Sequence, residues 1–125
     1  MNTDSDILVE QRDSGLVWIT INRARKHNAL ARPVLDALAD AVRVAGAGAD
    51  TRCIVLRGAG DKYFAAGGDL VDLASVRTDD EIDAMADHAR GALDAVRECP
   101  LPIVAYVNGD AGSSASCANR AFTIA

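Results

Sequence analysis

Apolar positions along this chain follow two rhythms. Ile7 to Gln11 and Leu16 to Ile21 are β-branched runs, and Asp13-Ser14-Gly15 between them is a hairpin signal. Asn22 to Asn28 is a polar loop. Pro33 then opens a helical pattern with Val34, Leu38, Ala41, Val42 and Ala45 on one face, and Gly46 and Gly48 end it. Cys53 to Leu56 reads as a short buried strand, and Gly58 to Asp61 turns into a second short apolar segment at Phe64. Leu70 to Val76 makes a short helix. Thr78-Asp79-Asp80-Glu81 is a capping box for a longer one, with Ile82, Met85, Ala86, Ala89, Leu93 and Val96 on one stripe. Such a stripe reads as core or subunit contact. Cys99-Pro100-Leu101-Pro102 stops that helix, because proline lacks the N–H. Ile103 to Val107 is a buried strand and Asn108-Gly109 turns out of it. Ser113 to Ile124 reads as a further helix capped by Ser113.

Strands and helices alternating in this way predict an α/β fold. Residues 1–6 are polar and acidic and are expected to be disordered. The expected domain is residues 7–125, and its last helix leaves an apolar layer uncovered. The expectation is therefore the N-terminal part of a larger domain.

Composition narrows the function. Apolar residues make up 50% and charged residues 25% of 125, as in ordinary globular proteins. No apolar run reaches transmembrane length, and the acidic start lacks the features of a signal peptide. A net charge of −5 without a Lys/Arg cluster argues against nucleic acid and anionic membranes as partners. Cys53, Cys99 and Cys117 form neither a zinc pattern nor a disulfide framework, which favours a reducing, cytoplasmic setting. His27 and His88 lack metal-ligand spacing, and no metal site is expected. Gly58 to Lys62 is not a P-loop, since no Gly-Lys-Ser/Thr follows.

The richest stretch is Tyr63 to Leu70, where Gly67-Gly68 precedes Asp69. One reading is a tight turn with Asp69 as an N-cap. The other is an oxyanion hole built from main-chain N–H groups left uncovered by glycine near a helix start.

Four ordered blocks tip the balance. Val17-Trp18-Ile19-Thr20-Ile21-Asn22-Arg23 with Asn28-Ala29-Leu30 resembles the opening strand and "N-R-P-x-x-x-N-A-L" loop of the enoyl-CoA hydratase/isomerase (crotonase) family. Arg52 to Gly58 is similar to that family's next strand. Phe64-Ala65-Ala66-Gly67-Gly68-Asp69-Leu70 is similar to "F-x-A-G-A-D-L", and Leu101 to Gly109 to "K-P-V-I-A-A-V-N-G". The resemblance implies a spiral of ββα turns that binds acyl-CoA thioesters and holds the thioester oxygen, as enolate charge develops, on two backbone N–H groups. By position these belong to Gly68 and Ser114. Ala66 and Asp69 to Val71, with Leu70 between, would line the thioester and pantetheine. Arg25 and Lys26 lie where the family places the nucleotide end of coenzyme A, and a solvated basic loop is the competing reading for them. No cofactor is implied beyond the coenzyme A of the substrate. Family members form trimers or hexamers.

The chain departs from the family after Gly109. Ser114 stands where the family has the glycine of the second N–H, and Cys117 where hydratases have their first catalytic glutamate. A thiol does not replace a carboxylate that positions and deprotonates water. The second family glutamate would fall beyond Ala125. Two further readings follow: a non-catalytic remnant that binds acyl-CoA or a partner subunit, and a serine hydrolase. The caseinolytic (Clp) protease family shares the superfamily fold, and Gly109 to Ser114 resembles its nucleophile stretch, with Ser113 as nucleophile. That mechanism needs a histidine base, downstream in that family, and none follows Ser113.

Overall fold

The computed structural model describes residues 4–111 and 120–124, the last five as backbone. β1 (Ile7–Arg12) and β2 (Leu16–Ile21) form an antiparallel hairpin closed by a 3-10 turn at Asp13–Gly15. α1 (Arg32–Gly46) crosses to β3 (Cys53–Gly58), which runs parallel to β2. After β4 (Tyr63–Ala65), α2 (Leu70–Ala74) and α3 (Asp79–Glu98), the chain returns as β5 (Ile103–Val107), parallel to β3. β6 (Asp110–Ala111) pairs with β4 in a separate two-stranded sheet, and β7 (Arg120–Ile124) lies antiparallel to β5. The main sheet runs β1-β2-β3-β5-β7. This is the expected α/β architecture.

One face of the sheet carries the core. Period-two alternation sends Ile19, Ile21, Ile54 and Ile103 to the α1 side, where Val34, Leu38 and Val42 meet them. The four isoleucines are at most 1% exposed. α3 packs beside α1 through small residues, with Ala92 and Ala95 buried. The expected α3 stripe lies only partly in the core: Val96 packs against it, and Met85 and Ala89 are half-buried. Ile82 and Leu93 point outward at 55% and 62% exposure, because the alanines that permit close approach to α1 lie on another face. The capping box at Thr78 and Glu81 is present as expected.

Two expectations are corrected. The segment expected as a helix from Ser113 to Ile124 has Arg120–Ile124 in a strand, where its β-branched and aromatic residues take ladder bonds from β5. The expected disorder over residues 1–6 does not extend to Ser5 and Asp6. Asn22 donates its side chain to Ser5 O at 3.0 Å and its N–H to Asp6 O at 2.7 Å.

Because β2, β3 and β5 are parallel, the loops that leave Ile21, Gly58 and Val107 gather at one edge of the sheet. Ligands in α/β folds bind at such an edge. Two buried asparagines hold these loops together. Asn28 is fully buried at 0% exposure; it accepts the Arg23 N–H at 2.9 Å and donates to Tyr63 O at 2.8 Å and Ala59 O at 3.1 Å. Asn108 accepts the Gly58 N–H at 2.9 Å and donates to Gly60 O at 2.8 Å and Tyr63 O at 3.1 Å. Gly109 follows, and a Cβ there would run into the Lys62 backbone, so only glycine lets β6 approach β4.

Beyond β4 the chain turns at Gly67, whose φ of +96° is the left-handed region that side chains disfavour. α2 is then tied to α1 across the loop. Asp72 accepts the Arg32 N–H at 3.0 Å and the Arg32 Nη2 at 2.8 Å, which caps α1 from 40 residues away. The Arg32 guanidinium, together with that N–H, holds the Asp72 carboxyl below its ordinary value of 3.8 against the opposing effect of burial.

Four stability outcomes are expected. Asn108→Ala leaves the Gly58 N–H without its acceptor and lowers stability by about 2 kcal/mol in urea unfolding. Gly67→Ala costs about 1–2 kcal/mol through its φ. Gly68→Ala, whose Cβ meets only the flexible Leu73 Cδ1 at 3.3 Å, stays within about 0.5 kcal/mol. The lowered Asp72 value predicts stability that is complete above pH 3.8 and is lost as pH falls further, through the folded-state value. Thermal melts across pH 7 to 2 on wild type and Asp72→Asn check it, the variant showing the shallower acid loss.

Candidate functional site

The segment from Tyr63 to Asp69 lies along the polar loop that joins β2 to α1. The Ala66 N–H donates to His27 O at 3.1 Å, and the Leu30 N–H donates to Gly67 O at 2.7 Å. The His27 ring stacks on Tyr63 with centroids 4.3 Å apart. His27 and Asn28 both take positive φ, 57° and 54°, which bends the loop so that its main chain faces the segment. Gly68 bridges Leu30 in parallel fashion. The Gly68 N–H donates to no backbone carbonyl among the described residues.

Asp69 follows as the α2 N-cap, as the tight-turn reading has it. One carboxylate oxygen accepts the Val71 N–H at 2.9 Å and the Asp72 N–H at 3.1 Å. The other accepts from Arg23 Nη1 at 3.2 Å, with the two side chains 17% and 10% exposed. The Asp72 N–H does most to lower the Asp69 carboxyl below its ordinary range; burial opposes it, and Arg23 and the Val71 N–H add to the lowering. The same Arg23 Nη1 donates to Ala29 O at 2.7 Å. Arg23 thus ties three strands of chain together at the start of α2.

An open groove of about 350 Å³ runs past this point, lined by Arg23, Lys26, Pro33, Asp69, Val71 and Ser75 among others. Lys26 therefore reaches the neighbourhood of Asp69. Arg25, on the same turn, is exposed and does not line the groove. Leu70 and Val71 stand 80% and 76% exposed, with Leu73 at 48%, so α2 presents an apolar surface beside the Gly67-Gly68 turn. Ala66 is half-buried, its N–H already committed to His27. Ser113, Ser114 and Cys117 lie outside the described residues.

Sequence reasoning assigned no role to Arg23, Asn28, Asn108 or Asp72. The first three were in view as motif letters. Polar residues at the ends of apolar strands were the available signal, since a buried amide there must find partners. Asp72 gave none, because its partner is remote in sequence.

This geometry has counterparts in known proteins. The family model for enoyl-CoA hydratase/isomerase matches residues 11–116. A mycobacterial (7aS)-7a-methyl-1,5-dioxo-2,3,5,6,7,7a-hexahydro-1H-indene-carboxyl-CoA hydrolase, from Mycobacterium tuberculosis, is 38% identical over 100 residues, covering 78% of this chain and 38% of that protein. Mouse (Mus musculus) mitochondrial methylglutaconyl-CoA hydratase is 29% identical over 101 residues, 81% of this chain and 32% of its own. The crystal structure of an enoyl-CoA hydratase from Bacillus anthracis superposes with a TM-score of 0.79 at 30% identity, covering 84% of this chain and 40% of that one. The chain thus spans 32% to 40% of the length of these proteins. A matched segment that takes in the β2 loop, the Gly67-Gly68 turn and the Asn108 turn, with a superposable backbone, makes this chain a member of the enoyl-CoA hydratase/isomerase family.

Proposed function

We propose that the chain binds acyl-CoA thioesters and polarises the thioester carbonyl through the Gly68 N–H. The observation that carries this is the Gly68 N–H, uncommitted among the described residues, beside an exposed apolar helix. A fixed donor aimed at developing negative charge needs no reorganisation as the charge forms. The acyl and pantetheine portions lie along Ala66 and Asp69 to Val71, and Leu70 and Val71 supply apolar contact. Lys26, with Arg25 beyond it, faces the phosphates of the nucleotide end. Ser114 supplies the second N–H by sequence position. Coenzyme A enters only as part of the substrate.

The reaction class of the lineage is addition of water to an enoyl-CoA, or its isomerisation, by way of an enolate-like thioester, in fatty-acid or related acyl-CoA metabolism. This chain carries Cys117 where hydratases carry a glutamate. A thiol there neither positions nor deprotonates water as a carboxylate does. Binding and carbonyl polarisation are accordingly proposed for these residues, and hydration is not. Assembly into trimers or hexamers and a cytoplasmic setting belong to the same proposal.

Calorimetric titration with butyryl-CoA and with free coenzyme A tests it. The thioester is expected to bind more tightly than free coenzyme A. In Gly68→Pro, which removes the N–H, that preference is expected to shrink by about fivefold to tenfold, the worth of one hydrogen bond. Equal affinity for the two ligands in the wild-type chain would sink the reading. Crotonyl-CoA hydration by this chain is expected to stay at the level of the Gly68→Pro control.

A further inference from the structure

We propose that Arg23 is a positioning residue that aims and polarises the Gly68 N–H through two intervening peptide units. The inference rests on the oxyanion reading of Gly68 and assigns the source of that donor's strength.

The connectivity is the argument. Arg23 Nη1 donates to Ala29 O at 2.7 Å. Ala29 O and the Leu30 N–H belong to one peptide unit. The Leu30 N–H donates to Gly67 O at 2.7 Å. Gly67 O and the Gly68 N–H belong to the next peptide unit, and Gly68 ends the series with its N–H unspent among the described residues. Both distances are at the short end for N–H···O bonds, the first as expected for a charged donor. No described peptide bond is cis, so in each unit the C=O and N–H point in opposite directions. A guanidinium pulling on Ala29 O and a Leu30 N–H pulling on Gly67 O therefore turn the Gly68 N–H away from the 27–30 loop. Each bond also draws electron density from the N–H on the far side of its peptide, and hydrogen bonds in series strengthen one another.

Two further features give Arg23 this task. α2 has only five residues, too few to concentrate much helix-end charge at Gly68. The Asp69 carboxylate, one residue from the donor, would oppose an oxyanion, and Arg23 sits on it at 3.2 Å. One side chain thus offsets the unfavourable charge and heads the series that strengthens the donor. Gly67, at positive φ, lies in the turn that brings its carbonyl to the Leu30 N–H.

Amide NMR on the whole 13.1 kDa chain tests this before any ligand is added. In Arg23→Gln the through-hydrogen-bond coupling between Leu30 N and the Gly67 carbonyl carbon is expected to fall by about 10–30%, with the Gly68 amide proton moving upfield. Arg23→Lys keeps the cation without the fork and is expected to show a smaller change of the same sign; it stands in if Arg23→Gln does not fold. Unchanged coupling and unchanged Gly68 proton shift in the folded variants would overturn the proposal and leave Arg23 as the ion-pair partner of Asp69 at 3.2 Å and of Asp6 at 3.8 Å. A second reading uses butyryl-CoA with a ¹³C-labelled carbonyl. Its infrared band is expected at lower frequency on the wild-type chain, and part of that displacement is expected to be lost in Arg23→Gln. No displacement on wild type together with a clear amide response to Arg23 would refute the thioester reading and uphold the relay. An equal displacement on wild type and variant would refute the relay.

Discussion

The carbonyl of Tyr63 is the point on which the rest of this structure depends. Asn28 and Asn108 reach it from loops 80 positions apart in numbering, and each donates its side-chain amide to it. The remaining capacity of both amides goes to Ala59 O, Gly60 O and the N–H groups of Arg23 and Gly58. These groups lie at or just past the C-terminal ends of β2 and β3 and at the start of β4. Loop positions there lack ladder bonds, and a buried loop without partners costs about 1–3 kcal/mol per orphaned group. The two amides supply those partners. β4 starts at Tyr63, so the whole segment that ends in the Gly67-Gly68 turn inherits its position from them.

Side-chain packing and the polar braces divide the work. The isoleucines of β2, β3 and β5 against α1 make the platform, and they set only where each strand stops. What happens past Ile21, Gly58 and Val107 is decided by hydrogen bonds to fixed atoms. Asp72 on the Arg32 N–H and Asp69 on the Arg23 guanidinium belong to the same class, since they tie α2 to the start of α1 and to the loop before it. Leu70, Val71 and Leu73 are consequently left free of the core, and α2 can hold its place while its apolar side chains face out.

Much of this was legible in the chain. Alternation in β2 and β3, the Thr78 box and the prolines after Cys99 located their elements, because each is a local effect. The four motif blocks carried the family and hence the fold. The α3 stripe, expected as core or subunit contact, meets the core only in part, because helical periodicity alone does not distinguish a face of large apolar residues from a face of alanines that permits a closer neighbour. The strand at Arg120–Ile124 was read as a helix, since its partner β5 was invisible to a local reading. Arg23 was visible as a letter of a motif, but its roles depend on Ala29, Asp69 and Asp6 converging on it, and convergence is a property of the folded chain.

The loop from Ala24 to His27 contributes to the site chiefly through its main chain. His27 gives its carbonyl to Ala66, and Ala24, Arg25 and Lys26 are exposed on a single 3-10 turn. Their side chains carry none of the bracing. On the proposed reading, substitution there alters which ligand is welcomed while leaving the aim of the Gly68 amide untouched, so that recognition and reactivity become separately heritable traits within one short stretch of chain.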